Sequence, residues 1–176
     1  MINETVLNNS TTDIQTWTGI PATYTHLLIV AIGRLTETSK QSDTLALQIN
    51  GDTGAYYSYL QMLSNNATGT LSAPFAVSGY AGTSAPLGVM TASEAGAAAN
   101  AGAIVAWIPW YTSTTFNKVV LSLTGAGNGT TAYIDGRLFY DFYNPVTQAA
   151  VSSLSISAPA GSDFKAGTSF GLYGLS

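Results

Sequence analysis

The stretch LQINGDTGAYYSYL, residues 47–60, contains the residue types of a functional site. Asp52 lies between two glycines and is followed closely by three tyrosines. A carboxylate in such a loop could ligate a metal or transfer a proton, and clustered tyrosines could stack on a sugar. A reverse turn accounts for the same residues, because Asn-Gly is a turn signal and Gly51 and Gly54 are free to adopt positive φ. We therefore predict a turn at this position.

Metal and histidine chemistry find little support in the sequence. Calcium would need about six to eight oxygen ligands, whereas residues 50–54 supply one carboxylate and one amide side chain. The chain has no cysteine, so it has no thiolate zinc site. The single histidine, His26, begins an apolar stretch, and no Gly-x-Ser-x-Gly motif accompanies it. We predict a structural histidine, no metal and no cofactor.

The acidic residues do not form a recognisable catalytic pair. Asp135 and Asp141 lie on one face of one predicted strand, but six residues at about 3.3 Å each separate them by roughly 20 Å. Glycoside hydrolysis needs two carboxyl groups about 5 to 9.5 Å apart. The glycine-rich residues 125–131 lack the lysine of a phosphate-binding loop, and their Asn-Gly predicts a hairpin turn. We predict no catalytic residue and no enzymatic activity.

The composition indicates one globular domain over residues 1–176, with 46% apolar and only 8% charged residues. A net charge of -4 and five basic residues argue against nucleic-acid binding. The first ten residues lack the basic and apolar regions of a signal peptide. The longest uncharged run, residues 95–116, is interrupted by Asn100 and Pro109, so we expect no membrane span.

Short runs of β-branched and aromatic residues between turn residues predict an all-β fold. We expect an antiparallel, jelly-roll-like β-sandwich of about eight to ten strands, with at most one short helix at residues 93–101. Leu45, Leu47 and Ile49 alternate with polar residues and predict a half-buried strand. The middle of residues 24–34 is apolar at successive positions, which predicts a central strand buried on both sides.

Residues 131–143 form the most informative predicted strand. We assign its even positions, from 132 to 142, to the core, and its odd positions to the outward face, where charged residues and aromatics mix. Outward aromatic side chains occur both in protein interfaces and on sugar-stacking platforms, and the sequence leaves the two alternatives open. The candidate interface or glycan-stacking residues are Tyr56, Tyr57, Tyr59, Trp110, Tyr133, Phe139 and Tyr143.

Three segments occur in an order that resembles a family of tailed-bacteriophage virion structural proteins. They are IPATYTHLLIVAIGR at residues 20–34, LQINGDTGAYYSY at residues 47–59 and AGTSFGLYGL at residues 166–175. Members of that family are described as head-decoration, capsid-fibre or tail-fibre-like proteins. The resemblance implies a β-sandwich and a non-enzymatic role on the virion surface, in a protein made in the host cytoplasm.

The resemblance leads us to expect a decoration or cement protein on the capsid exterior. Its expected partners are the major capsid protein or other virion proteins, and its own copies in a homo-oligomer, with a trimer as the first expectation. Residues 1–12 are a candidate N-terminal arm for contacts with neighbouring subunits. One alternative is the receptor-binding tip of a tail fibre that recognises a host glycan. A further alternative is a carbohydrate-binding module.

Overall fold

The computed structural model describes residues 1–66, 75–92, 100–127 and 134–176. Across these residues every regular element is a β-strand, which confirms the predicted all-β class, and the strands number twelve rather than eight to ten. No helix among the described residues is long and apolar enough to cross a membrane. The predicted short helix at residues 93–101 falls mostly outside the described residues. The strands are β1 Asn3–Val6, β2 Ile14–Thr18, β3 His26–Gly33, β4 Ser42–Ile49, β5 Tyr57–Asn66, β6 Phe75–Gly82, β7 Ala85–Thr91, β8 Gly102–Pro109, β9 Lys118–Gly127, β10 Ile134–Tyr143, β11 Ser153–Ser157 and β12 Ser169–Leu175.

The strands form two antiparallel sheets that pack as a β-sandwich. The larger sheet has eight strands in the order β1-β12-β3-β8-β9-β10-β5-β6, and the smaller has four in the order β2-β11-β4-β7. Strand β3 is internal in its sheet, as predicted for a central strand, and β8 ends at Pro109. The jelly-roll connectivity remains a prediction.

The two chain ends belong to the same sheet. Strand β1 pairs with the C-terminal strand β12, and the amides of Ile2 and Leu7 donate to the carbonyls of Leu172 and Thr168 at 2.8 and 2.9 Å. The segment that we assigned to an N-terminal arm therefore contributes an edge strand to its own chain.

The main core lies between the two sheets. Strand β4 buries Leu45, Leu47 and Ile49 completely, which confirms the predicted half-buried strand. Strand β3 contributes Leu27 and Ile29 from the opposite sheet. Burial of each such side chain stabilises the folded state by about 1.5–3 kcal/mol. This apolar layer holds the two sheets together.

The prediction for the faces of β10 was wrong, and the observed orientation is the opposite. Phe139, Asp141 and Tyr143 are buried against the smaller sheet, whereas Leu138 and Tyr140 are each 45% exposed. The charged residues misled the assignment, because polar side chains can be buried where partners exist. Asp135 accepts two hydrogen bonds from the Arg137 guanidinium at 2.9 and 2.8 Å and one from Ser42 of β4.

The expectation that β3 is buried on both sides was also wrong. Its inward residues are fully buried, but Leu28 and Val30 are half-buried and Ile32 is 51% exposed. The smaller sheet covers only one face of the larger one. Strands β3 and β10 have apolar residues on both sides because the uncovered face of the larger sheet is itself apolar.

Candidate interaction surface

The predicted aromatic candidates do not form one outward cluster. Tyr57, Phe139 and Tyr143 are buried, so their assignment to an exposed interface or glycan platform was wrong. Tyr56 and Tyr59 are half-buried. Trp110 is 62% exposed and remains a candidate. Tyr133 lies outside the described residues.

The Asn-Gly-Asp segment forms the predicted turn. Asn50 and Gly51 have φ of 55° and 66°, and the Asp52 amide donates to the Ile49 carbonyl at 3.0 Å. Two left-handed residues inside such a four-residue loop define a type I′ turn, for which Asn-Gly is the favoured pair. Gly54, expected at positive φ, is outside the left-handed region; a Cβ there would meet the Tyr56 ring.

The carboxylate of Asp52 connects this turn to the end of β10. Its Oδ1 accepts a hydrogen bond from the Gly54 amide at 2.8 Å, and its Oδ2 accepts one from the Tyr143 hydroxyl at 2.6 Å. The ring of Tyr143 stacks on Tyr57 with centroids 4.7 Å apart. We call Asp52, Tyr57 and Tyr143 the turn clasp.

The two phenols of the turn clasp are poor candidates for acid-base chemistry. The Tyr57 hydroxyl donates to the Asp52 carbonyl at 3.2 Å and accepts from the Ile49 amide at 3.0 Å. Burial raises the pKa of Tyr57 to about 12 and also raises the pKa of Tyr143. Both phenols therefore stay neutral at physiological pH and hold the turn in place.

The outer side of the larger sheet carries an uncharged apolar surface. Two rows of side chains cross the central strands in register: Val105, Leu123, Leu138 and Met62 in one, and Trp107, Leu121, Tyr140 and Leu60 in the other. The outward positions of β3, β8, β9, β10 and the described part of β5 include no Asp, Glu, Lys or Arg. The residues that we call the apolar face are Ile32, Leu60, Met62, Val105, Trp107, Leu123, Leu138 and Tyr140.

The apolar face is large for a surface in contact with water. Its members are between 37% and 64% exposed. Together they present roughly 800 Å², if a large apolar side chain offers on the order of 200 Å² when free. The largest apolar patch of a typical monomer is about 300–600 Å². This face therefore has the character of a surface that is covered in the working protein.

Sequence reasoning missed the apolar face although its signal was present. Strands β3, β8 and β9 have apolar residues at successive positions, as in HLLIVAIG, AIVAWI and KVVLSL. A strand of this kind is buried on both sides, either within its own domain or by an added partner. The two-sided burial predicted for β3 corresponds to the first explanation alone.

A second feature, the aromatic corner, lies beside the apolar face and consists of Trp110 and Phe116. They are 62% and 63% exposed, and their ring centroids are 6.5 Å apart. Trp110 has a φ of 43°, which is unusual for a bulky residue and indicates a constrained loop. Its amide donates to Nδ1 of His26 at 3.3 Å, and the His26 ring lies 5.4 Å from that of Trp107.

The loop of the aromatic corner is held from beneath by Lys118. This side chain is buried, and its Nζ donates to the carbonyls of Ser113 and Phe116 at 2.6 and 3.0 Å. Ser113 in turn accepts, through Oγ, hydrogen bonds from the amides of Thr115 and Phe116. Burial lowers the pKa of Lys118. The corner is therefore a fixed platform for its aromatic rings.

Lys118→Met should loosen the aromatic corner while leaving the rest of the fold in place. Methionine keeps the apolar stem but leaves two loop carbonyls without their charged donor, a loss of about 1.5–3 kcal/mol. We expect increased amide hydrogen exchange at residues 113–116 and unchanged protection in β3. Lys165→Met, on a half-buried lysine elsewhere, is the control. Equal protection of residues 113–116 in wild type and Lys118→Met would contradict the positioning role.

Two of the remaining acids form ion pairs in the part of the chain that is described. Asp43 pairs with Lys40 at 2.5 Å, and Asp135 pairs with Arg137 at 2.8 Å. The described residues include no group of three or more His, Asp or Glu that could hold a metal. Asp141 is an exception: it is buried in β10, and neither of its carboxylate oxygens has a hydrogen-bond partner among the described residues.

Comparison with models of known protein families gave no match, and comparison with curated proteins gave none either.

Proposed function

We propose that this chain is a non-enzymatic structural protein of a tailed-phage virion, placed on the capsid exterior as a decoration or cement protein. The observation that carries the proposal is the apolar face. A surface of this size without a charged residue is suited to burial against protein, and it contains no arrangement suited to catalysis. The resemblance of residues 20–34, 47–59 and 166–175 to phage virion proteins supports a phage virion as the particle to which the chain belongs.

In this proposal the protein stabilises the particle through contacts alone. The apolar face is covered by protein, and the aromatic corner offers rigid rings of the kind that anchor interfaces. The major capsid protein or another virion protein is the expected partner, and further copies of the chain are expected in the same assembly.

Addition of the purified chain to capsid shells that lack it tests this proposal. We expect saturable binding at a copy number comparable with that of the shell protein, and increased resistance of the shell to heat. Quantitative mass spectrometry of purified virions gives the native copy number. Absence from virions would overturn the proposal, and a handful of copies per particle would overturn the capsid-exterior location.

The aromatic corner also supports a second candidate function, a glycan-binding tip on a tail fibre. Trp110 and Phe116 are exposed and close enough to stack on one sugar ring or two successive rings. Binding to a glycan array that is lost in Trp110→Ala and kept in Val146→Ala, a control in an exposed loop, would favour this function. Wild-type chain that binds no glycan on the array would exclude a receptor among the glycans tested.

A further inference from the structure

A protrusion of the apolar face and a hole at one end of that face lie next to each other. Leu123 of β9 is the most exposed member of the face, at 64%. Gly125, two residues further along β9 on the same side, has open space where a side chain would stand. Alternate residues of a strand point to the same side of the sheet, and each residue advances the strand by about 3.3 Å. The two positions are therefore separated by about 7 Å.

The hole is part of a shallow trough of small residues. Gly125 pairs with Ala103 of β8 and with Gly136 of β10. The adjacent row consists of Val105, Leu123 and Leu138, which pair in the same order. The apolar face therefore has a ridge of large side chains beside a trough that lacks them.

We propose that two copies of this chain pack through their apolar faces about a two-fold axis. The axis lies between the two faces, perpendicular to β9, and passes over Thr124. Such an axis exchanges positions 123 and 125, so Leu123 of each copy enters the trough at Gly125 of the other. This is an isologous contact, in which the same patch serves both subunits. The two larger sheets would stack about 10 Å apart, as layers of a sandwich do.

Three properties of the apolar face favour a second copy over an unrelated partner. Its ridge and trough complement each other under a two-fold rotation. Its area of roughly 800 Å² is about what each partner contributes to a standard protein interface. Its described outward positions carry no charge with which to select a charged partner. The inference rests on the proposed function in one respect, that the apolar face is covered by protein. It identifies the covering protein as a second copy of the chain.

Analytical ultracentrifugation of the full chain over a range of concentrations tests the dimer. We expect Leu123→Gly, which removes the protrusion, to raise the dissociation constant at least tenfold. Gly125→Leu should do the same, because two large side chains then meet in the trough. Gly125 is outside the left-handed region and faces open space, so the larger residue fits the monomer.

The double variant that combines Leu123→Gly and Gly125→Leu gives the sharpest test. In the double variant the protrusion is at position 125 and the hole is at position 123. A two-fold axis at Thr124 places each protrusion opposite the hole of the other copy, as in the wild type. The double variant should therefore recover at least half of the lost association energy. Thr16→Lys, at an exposed position of β2 in the smaller sheet, should leave the dissociation constant unchanged. Far-ultraviolet circular dichroism and the thermal midpoint confirm that each variant is folded.

Three results would overturn the inference: a monomer at all concentrations, association that neither single variant weakens, or a double variant no better than the singles. A trimer insensitive to both substitutions is one form of the second result. Shell binding is measured separately. A monomer that still binds shells would overturn the dimer and support the proposed function. A dimer that binds no shell would support the dimer and overturn the proposed function.

Discussion

Asp141→Asn should remove most of the pH dependence of folding stability between about pH 4 and about pH 8, a range in which the wild-type protein should become less stable as the pH rises. Burial raises the pKa of Asp141 to about 8, whereas an aspartate in an unfolded chain titrates near about 4. The folded protein therefore keeps a proton that the unfolded chain releases. Stability from this group is complete at low pH and declines by about 1.4 kcal/mol for each pH unit in this range.

The position of Asp141 explains why no neighbour relieves this cost. It pairs in register with Tyr59 of β5 and Val120 of β9, and its carboxylate has no hydrogen-bond partner in the described structure. Lys118, a buried cation two residues from Val120 on the same side of β9, donates its hydrogen bonds to loop carbonyls. An ionised carboxylate is costly in such surroundings.

Urea unfolding of the wild type and of Asp141→Asn across this pH range is the measurement. Asp13→Asn, on an exposed aspartate, is the matched control and should keep the wild-type slope. At about pH 8 the Asp141→Asn protein should be more stable than the wild type by several kcal/mol. Parallel stability curves for wild type and Asp141→Asn would refute the assignment.

Tyr57→Ala should be among the most damaging single substitutions in the protein, with a loss of about 3–5 kcal/mol in the free energy of unfolding. The side chain is 2% exposed and stacks on Tyr143, so its removal leaves a cavity and releases the turn clasp. Tyr57→Phe keeps the ring but leaves the Ile49 amide without its hydroxyl acceptor. That change should cost about 1–3 kcal/mol.

Chemical denaturation of these variants measures the clasp directly. Tyr56→Phe, at the neighbouring half-buried tyrosine, is the control and should stay within about 0.5 kcal/mol of the wild type. A double-mutant cycle between Tyr143→Phe and Asp52→Ala isolates their hydrogen bond. Tyr57→Phe with wild-type stability would mean that the phenol contacts contribute nothing.

The turn at residues 50–52 illustrates what could be predicted. Asn-Gly adopts a type I′ turn because both residues tolerate positive φ, a property of the residues themselves. The same pattern could not reveal that Asp52 meets Tyr143, since the partner lies 91 residues away. The segment is therefore a structural joint, although its composition resembles a site for catalysis or sugar binding.

Strand β10 illustrates the opposite case. Both of its faces contain apolar residues, so alternation offers two assignments, and the charges favoured the wrong one. Which face is buried depends on where the smaller sheet lies and on partners such as Ser42, 93 residues from Asp135. The wrong choice of face assigned Leu138 and Tyr140 to the core. It assigned Phe139 and Tyr143 to the exposed surface.

The strands, the turn and the all-β class could be read from local patterns, because backbone preference and alternation act over a few residues. The apolar face, the turn clasp and the buried Asp141 depended on the pairing of strands distant in the chain. That pairing places one sheet over only one side of the other. Residues with the same alternation thus become core on one side and a surface for association on the other.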